Sequence, residues 1–483
     1  MSYLFSLLLG RKVRFESDGN KGKIVAGRIL IIGLDCAPPE LMFDKFVDDM
    51  PNFKKLMSEG VYGELESVIP PITVPAWMCM MTSKTPGHLG YYGFRNRKDH
   101  SYDALYFATS TSVKEPLLWE ILNRQGWKTI MVGVPQTYPP RQVNGIQVSS
   151  FLTPSLESQY TYPPEIKEEI AELVGEYMVD VPNFRTDDKS YLLKQIYEMT
   201  EKRFTVIRSF MDKKEWRFFM FVEMGTDRIH HGIWKYFDKT HRAFIEDEEL
   251  NPAMLEYYKY IDKEIGTLLE RVDEDDTVMV VSDHGAKKMD GGICFNEWLI
   301  KEGYLTVKEY PSEPTRLTFD MIDWSKTKAW GDGGYYGRLF INVEGREPSG
   351  IVKQSEYEDL RNELQEKIAA ITDPDGVNIN SVAHKPEELY PVVNGVAPDL
   401  IVIFGDLYWR SVGIIGSGKI HTFENDTGPD DANHAMNGMF LIRHPGVEGG
   451  RKVEGAKLLD ISPTLLKLHG IEIPSDMVGK PII

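Results

Sequence analysis

Short apolar runs rich in β-branched residues recur along the chain and constrain its fold more than any other feature. Such runs are typical of strands that are buried on both faces of a parallel sheet. Helical patterns lie between several of them, at 52–58, at 116–124 and at 254–272. This alternation predicts an α/β fold with a doubly wound, mostly parallel sheet and helices on both faces. The predicted strands span residues 28–34, 128–134, 217–223, 277–282, 399–404 and 438–442.

Two regions interrupt this alternation and predict one or two inserted cap segments. Residues 154–212 are mostly charged and helical, and residues 306–398 combine glycine-rich turns with a helix predicted at 356–370. A chain of 483 residues exceeds the usual size of one domain, so insertions into a large core are expected. The predicted organisation is an N-terminal segment 1–24, a first core part 25–305 with the helical insertion at about 154–212, a cap region 306–398 and a second core part 399–483.

The charge balance excludes one class of partner. The chain carries 55 Lys and Arg against 73 Asp and Glu, which gives a formal net charge of −18. Such a chain repels the phosphate backbone of a nucleic acid polymer, and it contains no basic stripe that would hold one. We therefore expect no nucleic acid polymer as a partner, and the oligomeric state stays open.

Cysteine usage and hydropathy predict a cytoplasmic protein. Cys36, Cys79 and Cys294 are too few and too scattered for a disulfide framework or a cysteine-based metal site, which fits a reducing compartment. The apolar run at 4–9 lacks a preceding basic region and a cleavage site, so we do not interpret it as a signal peptide. No stretch approaches the roughly 20 apolar residues that a transmembrane helix needs. The role of residues 1–12 stays open.

Acidic and histidine residues follow three of the predicted strands. Asp35 follows the strand at 28–34, Asp283 and His284 follow the strand at 277–282, and Asp227 comes a few residues after the strand at 217–223. Ligands of doubly wound sheets bind beyond the carboxyl ends of the strands. An acid and an imidazole at a buried strand exit are costly without a partner or a metal ion. We interpret these residues as candidate metal ligands, although each alone is also compatible with an ordinary turn.

Two further histidines complete a candidate ligand set. Asp227 and His231 are four residues apart, so on a helix both side chains lie on one face and can bind one ion. His434 precedes the predicted strand at 438–442 and would supply an imidazole from the far end of the chain. Together the candidates provide three carboxylates and three imidazoles, enough for two divalent ions with positions open to substrate.

Thr73 is the candidate nucleophile. Prolines at 70, 71 and 75 enforce extended chain before a helix predicted at 75–82, which places Thr73 beside a helix N-terminus. The helix dipole and a bound metal ion would both favour the alkoxide that a threonine needs in order to attack phosphorus. A simple helix cap is the alternative role for this residue.

The order of these motifs resembles the alkaline phosphatase superfamily, and within it the type I phosphodiesterase and nucleotide pyrophosphatase branch. The resemblance covers most of the chain from about residue 28 onward and includes a closing helix over 459–466. It implies a phosphoesterase with two divalent metal ions, zinc being expected and manganese or iron being alternatives. It implies that Asp227, His231 and His434 hold one ion, while Asp35, Asp283, His284 and the Thr73 oxygen hold the other.

The same resemblance implies a small phosphorylated substrate and a phospho-threonine intermediate at Thr73. It also suggests Asn96 as a catalytic helper that stabilises the phosphoryl oxygens, with a polar loop as the alternative. Val74 stands where the nucleotide pyrophosphatases usually have Phe, and His230 where they favour Gly, which leaves nucleotide specificity in doubt. A substrate-binding role for Tyr335 and Arg338, which lie in a glycine-rich segment, is a weaker prediction than hairpin packing.

Several other functions remain compatible with parts of this pattern. A sulfatase would need Cys or Ser at the position of Thr73, and a cofactor-independent phosphoglycerate mutase would need Ser, so neither is favoured. A phosphomonoesterase or a phosphotransferase of the same superfamily is the main alternative to a phosphodiesterase. A metal-stabilised binding protein without turnover is a third reading.

Overall fold

The apolar runs of the first core part assemble into one central sheet. The computed structural model describes residues 27–483, so the predicted segment 1–24 and the apolar run at 4–9 lie outside the described residues. Ile29–Leu34 pairs in parallel with Phe218–Glu223 on one side and with Thr277–Val281 on the other. All residues of Ile29–Leu34 are buried, so both faces of the sheet are covered.

The sheet contains ten strands and is mostly parallel, as predicted. Only Asn437–Arg443 and Thr161–Tyr162 run against the others. From one edge to the other the order is Arg451–Lys452, Val61–Glu66, Asn437–Arg443, Thr277–Val281, Ile29–Leu34, Phe218–Glu223, Thr129–Val132, Gly145–Val148 and Thr161–Tyr162, with Ala456–Lys457 paired to Val61–Glu66.

Two groups of helices pack around this sheet. One group is formed by helices that contact one another in series, Pro51–Glu59, Ala253–Leu269, Gly225–Phe237, Lys189–Lys213 and Ile166–Val174. The other group comprises Thr73–Thr82, Leu118–Arg124 and Ile461–Leu468. Their buried apolar residues belong to one continuous core with the strands. The α/β architecture predicted from the sequence is confirmed.

The long helix of the predicted insertion at about 154–212 covers the sheet instead of standing apart as a cap. Lys189–Lys213 packs against Gly225–Phe237, and Leu192, Ile196 and Met199 are buried in the main core. These residues recur at helical spacing, so one face of the helix is apolar despite its high charge.

A second unit carries its own antiparallel sheet and core. Its four strands are ordered Ala329–Gly333, Gly337–Ile341, Leu400–Ile403 and Val382–His384. The helices Phe295–Lys301 and Tyr357–Ala369 contribute to the same hydrophobic cluster. The strand predicted at 399–404 therefore forms, but it belongs to this unit and its assignment to the central sheet was wrong. A strand buried on both faces has the same apolar pattern in either sheet.

Short ladders and helices lie outside the two larger sheets. Gly285–Lys288 pairs with Ala432–Ala435, and Gly291–Cys294 pairs with Trp409–Val412 and His421–Thr422. Further short elements are Arg95–Arg97 with Leu105–Phe107, Thr315–Arg316 with Ile414–Ile415, and the helices Pro86–Leu89 and Pro386–Leu389. Among residues 27–483 no helix is long and apolar enough to cross a membrane.

Candidate metal centre and active site

The topology of the central sheet brings the predicted ligands to one edge. Asp35, Asp227 and Asp283 all follow strands that run in the same direction, so they lie beyond the same, carboxyl edge of the sheet. His434 precedes Asn437–Arg443, and that strand runs the opposite way. The residues before an antiparallel strand lie at the edge where its parallel neighbours end, which explains how His434 joins the group.

Asp227, His231 and His434 form the first ligand cluster. Asp227 and His231 lie one turn apart on the helix Gly225–Phe237, and their Oδ1 and Nε2 atoms are 3.2 Å apart. His434 Nε2 lies 3.9 Å from the same Asp227 oxygen. All three side chains are at most 3% exposed, and their candidate ligand atoms lie within 4.8 Å of one another. The geometry predicted from the four-residue spacing is present.

Asp35, Asp283 and His284 form the second cluster. His284 Nε2 lies 3.2 Å from Asp283 Oδ2 and 4.0 Å from Asp35 Oδ1, and all three side chains are fully buried. The indole of Trp77 donates to Asp35 Oδ2 over 2.7 Å, which fixes the orientation of that carboxylate and leaves its Oδ1 directed towards His284.

Thr73 begins the helix Thr73–Thr82 beside the second cluster. Its hydroxyl lies 3.4 Å from Asp35 Oδ1 and 3.3 Å from His284 Nε2. Val74 has extended backbone angles, so the regular helix starts at Pro75, as the sequence predicts. The threonine hydroxyl thus stands at the helix N-terminus and against the second ligand cluster.

Each imidazole has an outer partner that directs its Nε2 atom inward. His231 Nδ1 lies 2.7 Å from Asp430 Oδ1, His284 Nδ1 lies 3.1 Å from the Gly285 carbonyl oxygen, and His434 Nδ1 lies 2.9 Å from the Pro71 carbonyl oxygen. Metal-binding histidines typically donate their second N–H in this way, which fixes the tautomer and the ring orientation.

The electrostatics of the clusters call for bound cations. Burial, followed by the charge of Asp227, raises the pKa of Asp35 to about 8, and burial with the charge of Asp35 raises the pKa of Asp283 well above its usual range. Burial lowers the pKa of His284 to about 4. Asp283 Oδ2 and His231 Nε2 are buried without a hydrogen-bond partner. Three carboxylates and three imidazoles with inward lone pairs are a donor set that fits divalent ions.

A cavity of about 330 Å³ opens onto Thr73 and the first cluster. Part of its wall is aromatic, from Phe94, Phe151 and Phe184. Tyr335 stacks over His434 with a ring separation of 4.3 Å and closes another side. Five arginines line the cavity, and they are Arg95, Arg185, Arg228, Arg338 and Arg410. A small anionic molecule with an apolar or planar group fits these walls.

With this geometry established, comparison with known families decides the relationship. A family model described as type I phosphodiesterase / nucleotide pyrophosphatase matches residues 29–430. The chain belongs to this family. The matched segment contains every predicted metal ligand except His434, which follows it. The relationship inferred from the order of the motifs is confirmed.

Solved structures share the fold of this family member. Human ectonucleotide pyrophosphatase/phosphodiesterase 5 superposes with a TM-score of 0.53 at 14% identity, covering 92% of this chain and 96% of that one. An inactive threonine-to-alanine variant of the murine protein, solved in complex with AMP, gives a TM-score of 0.52 at 12% identity, covering 93% and 96%. At such identities the likeness shows the fold alone.

Two curated phosphoglycerate mutases match short stretches of the chain. A 2,3-bisphosphoglycerate-independent phosphoglycerate mutase of Salmonella typhi is 45% identical over 56 residues, which are 12% of this chain and 11% of the mutase. The mutase of Escherichia coli strain K12 is 31% identical over 104 residues, or 22% and 18%. The matches therefore span about a tenth to a fifth of the length of these relatives.

The amide of Asn96, the candidate catalytic helper, is bonded to its own turn. Its Oδ1 accepts a hydrogen bond from the Tyr92 backbone N–H over 2.7 Å, and its Nδ2 donates to the Gly93 carbonyl oxygen over 2.8 Å. Asn96 is 3% exposed and is absent from the cavity wall, while its neighbour Arg95 lines it. The amide thus holds the turn at 92–96, and the catalytic role of Asn96 stays a prediction.

The two departures from the family pattern lie outside the cavity. Val74 is fully buried in the main core, and His230 is buried with its Nε2 atom 3.0 Å from the Tyr258 hydroxyl. Neither side chain lines the cavity.

Sequence reasoning missed two residues that contact the ligand clusters. Asp430 is fully buried and faces His231, Arg185 and Arg410. Cys36 lies in the first cluster. Asp430 resembles any loop acid in the sequence, and its role appears only when the loop folds against the helix that carries His231. The position of Cys36 directly after Asp35 was the available signal for its proximity.

Proposed function

We propose that this chain is a two-metal hydrolase that cleaves phosphodiester or pyrophosphate bonds of small molecules through a phospho-threonine at Thr73. The observation that carries the proposal is the Thr73 hydroxyl, which stands against Asp35 and His284 and lines the cavity that also reaches Asp227, His231 and His434. Membership of the type I phosphodiesterase / nucleotide pyrophosphatase family supports the reaction class.

Each of the two clusters would bind one metal ion. In this proposal Asp227, His231 and His434 hold one ion, while Asp35, Asp283, His284 and the Thr73 oxygen hold the other. Bound there, divalent ions would stabilise negative charge on the nucleophile, on the phosphoryl oxygens and on the leaving oxygen. We propose zinc, because mixed carboxylate and imidazole sites with few ligands suit it, and manganese or iron are the alternatives that such donors also accept.

The residues of the chain then account for the chemical steps. Thr73 gives its hydroxyl proton to water, its Oγ1 forms a bond to phosphorus, and the bond from phosphorus to the leaving oxygen breaks as that oxygen takes a proton from water. Trp77 and Thr226 hold Asp35 from both ends, since Trp77 donates to its carboxylate and Thr226 donates to its backbone carbonyl over 2.6 Å. Water cleaves the phospho-threonine in a second displacement, so the configuration at phosphorus is retained overall.

The cavity walls define the substrate class. Phe94, Phe151 and Phe184 suit a planar or apolar group attached to the phosphate, and the arginines suit its oxygens. The net charge of −18 disfavours a nucleic acid polymer, so the proposed substrate is a small phosphodiester or pyrophosphate such as a nucleotide derivative. We place the reaction in the cytoplasm, because the three cysteines are buried and unpaired.

The test compares two activated substrates on purified, metal-loaded protein. Bis-p-nitrophenyl phosphate is expected to be hydrolysed faster than p-nitrophenyl phosphate. Thr73→Ala is expected to lose at least about 10³-fold in kcat, the scale seen when a nucleophile is removed. Thr82→Ala is the matched control, since this residue ends the same helix and its hydroxyl bonds only the Met78 carbonyl oxygen. Wild-type protein that is acid-quenched during turnover of bis-p-nitrophenyl phosphate should carry one p-nitrophenyl phosphoryl group on Thr73 by mass spectrometry.

Each alternative predicts a different result in the same experiment. Faster hydrolysis of the monoester than of the diester would show that the protein is a phosphomonoesterase and not a phosphodiesterase. Transfer of the phosphoryl group to an added alcohol at the expense of water would indicate a phosphotransferase. A metal-loaded protein that hydrolyses neither substrate, with ligand affinity unchanged in Thr73→Ala, would be a binding protein. Activity without any phosphoryl adduct on Thr73 would eliminate the covalent intermediate.

A further inference from the structure

Cys36 is placed among the ligands of the first cluster. It follows Asp35 at the carboxyl end of Ile29–Leu34 and is fully buried. Its Sγ and the ligand atoms of Asp227, His231 and His434 all lie within 4.8 Å of one another. The thiol donates a hydrogen bond to the Gly285 carbonyl oxygen over 3.3 Å. Four donor atoms from four different side chains therefore converge on one point.

A second, independent observation also points to a cation at this point. His231 is 2% exposed, and its Nε2 atom faces the cluster without a hydrogen-bond partner. Its Nδ1 atom is bonded to Asp430, so one nitrogen orients the imidazole and the other points to Asp227 Oδ1, 3.2 Å away. A neutral imidazole and a carboxylate that face each other in this way repel each other unless a cation lies between them.

We propose that Cys36 is a fourth protein ligand of the ion held by Asp227, His231 and His434, and that it binds as a thiolate. This inference rests on the proposed function, because it assumes that the first cluster holds a metal ion. The thiol proton is released to solvent as the bond between sulfur and metal forms. One cysteine, one aspartate and two histidines make up a four-donor set that zinc commonly accepts.

The charges of the site are compatible with a thiolate. Two divalent ions bring four positive charges, more than the three negative charges of Asp35, Asp227 and Asp283, and a thiolate at Cys36 or an alkoxide at Thr73 offsets this excess. A thiol that coordinates a divalent ion gives up its proton on binding, so deprotonation of Cys36 is tied to metal binding.

A thiolate would also change which metal the first cluster prefers. Soft sulfur ligands favour zinc and cadmium, whereas carboxylates and imidazoles alone also accept manganese. The second cluster contains only oxygen and nitrogen donors. The two sites of this protein would then differ in selectivity, with the soft metal bound at the first cluster. Zinc can take a fifth ligand during a reaction, so four protein donors leave access for the substrate.

The backbone provides a well-matched variant. Cys36 has a φ of 65°, in the left-handed region where glycine is the least strained residue. Cys36→Gly removes the sulfur and suits this conformation, so the variant should fold. Cys79→Ala is the control, because Cys79 is also fully buried but belongs to the helix Thr73–Thr82 and to neither ligand cluster.

The experiment uses cobalt as a spectroscopic probe. Full-length protein is stripped with a chelator and titrated with Co²⁺ while metal content is determined by elemental analysis. Wild type and Cys79→Ala should develop a near-ultraviolet thiolate-to-cobalt charge-transfer band, and Cys36→Gly should lack it. The affinity of Cys36→Gly for cadmium should fall by about tenfold or more. Tenfold is the smallest loss typical for residues that only hydrogen-bond to a metal ligand, and a direct ligand should contribute at least as much. The manganese affinity of this variant should change little.

The outcomes separate this inference from the proposed function. Two bound cobalt ions without a charge-transfer band in wild type would overturn the role of Cys36 and leave the two-metal proposal intact. A band that persists in Cys36→Gly would overturn it as well. Protein that binds no metal at all would refute both. A band confined to proteins that contain Cys36, with two ions bound in every variant, is the result that supports the inference.

Discussion

The strongest test of the metal site away from the ligands themselves is Asp430→Asn. The Asp430 carboxylate is fully buried, and its Oδ1 lies 2.7 Å from His231 Nδ1. Its Oδ2 lies 3.4 Å from both Arg185 Nε and Arg410 Nη1 and accepts a hydrogen bond from Tyr335 over 3.1 Å. Asparagine keeps the shape of this side chain and removes its charge. The substitution therefore asks how much the negative charge behind His231 contributes to metal binding.

The expected magnitude follows from the geometry. Outer partners of metal-bound histidines typically contribute 10–100-fold in affinity, which corresponds to about 1.4 to 2.7 kcal/mol. Burial lowers the pKa of His231, and the carboxylates of Asp430 and Asp227 overcome this effect and raise it to about 9. Loss of the Asp430 charge makes the imidazole a weaker electron donor. It also leaves Arg410, which is 2% exposed, with Asp426 as its remaining acidic partner at 4.0 Å.

The assay separates affinity from folding. Zinc affinity is measured by competition with a chromogenic chelator, and the free energy of unfolding is measured on metal-free protein. Asp431→Asn is the matched control, because Asp431 is the next residue, is 6% exposed and pairs with Lys235 instead of His231. The zinc affinity of Asp430→Asn is expected to fall by at least about tenfold. A zinc affinity within about threefold of wild type would refute the reasoning.

Three further predictions concern stability and its dependence on pH. Asn96→Ala should cost about 1 to 3 kcal/mol in the free energy of unfolding, because the Tyr92 N–H loses its acceptor. The kcat of this variant should stay within a few-fold of wild type. A large fall in kcat at unchanged stability would instead show that Asn96 is catalytic. Arg203→Met should cost about 3 to 5 kcal/mol in chemical denaturation, because it leaves the fully buried Glu223 without the guanidinium 3.5 Å away, and a cost below about 1 kcal/mol would contradict this. The difference in Tm between metal-loaded and chelated protein should widen from pH 6.5 to 9. In the metal-free folded protein, Asp35 keeps its proton up to a pKa of about 8 and His231 up to a pKa of about 9. In the unfolded chain the same groups lose their protons near pH 3.9 and 6.5. Metal-free stability then falls as pH rises through this window; a constant difference in Tm would contradict the prediction.

The parts of the fold that local sequence determines were predictable. The strand Ile29–Leu34 is set by its apolar run, and the helix Pro51–Glu59 is set by its apolar periodicity and by Gly60, which ends it. Both form within one or two residues of the expected bounds. The sheet to which Leu400–Ile403 belongs was not predictable, because its partners Gly337–Ile341 and Val382–His384 are chosen by tertiary packing. Periodicity reports burial and does not identify the neighbour.

The same distinction holds for the candidate site. Asp35 and Asp283 could be proposed because a buried strand exit makes a charged residue conspicuous, and Asp227 and His231 because helical spacing pairs them. His434 depended on resemblance, since only the antiparallel direction of Asn437–Arg443 returns it to the carboxyl edge. Asp430 could not be proposed, because its function comes from a contact with His231 across 199 residues.

The cavity also shows why net charge is a poor guide to a site. The chain is strongly acidic, yet arginines line the cavity, and these arginines are themselves ion-paired. Arg228 pairs with Asp180 and Asp227, and Arg338 pairs with Asp332. Because carboxylates offset these charges, the positive potential that attracts a phosphate has to come mainly from bound metal ions. Metal-free protein should therefore bind inorganic phosphate far more weakly than metal-loaded protein, even though every arginine of the cavity is retained.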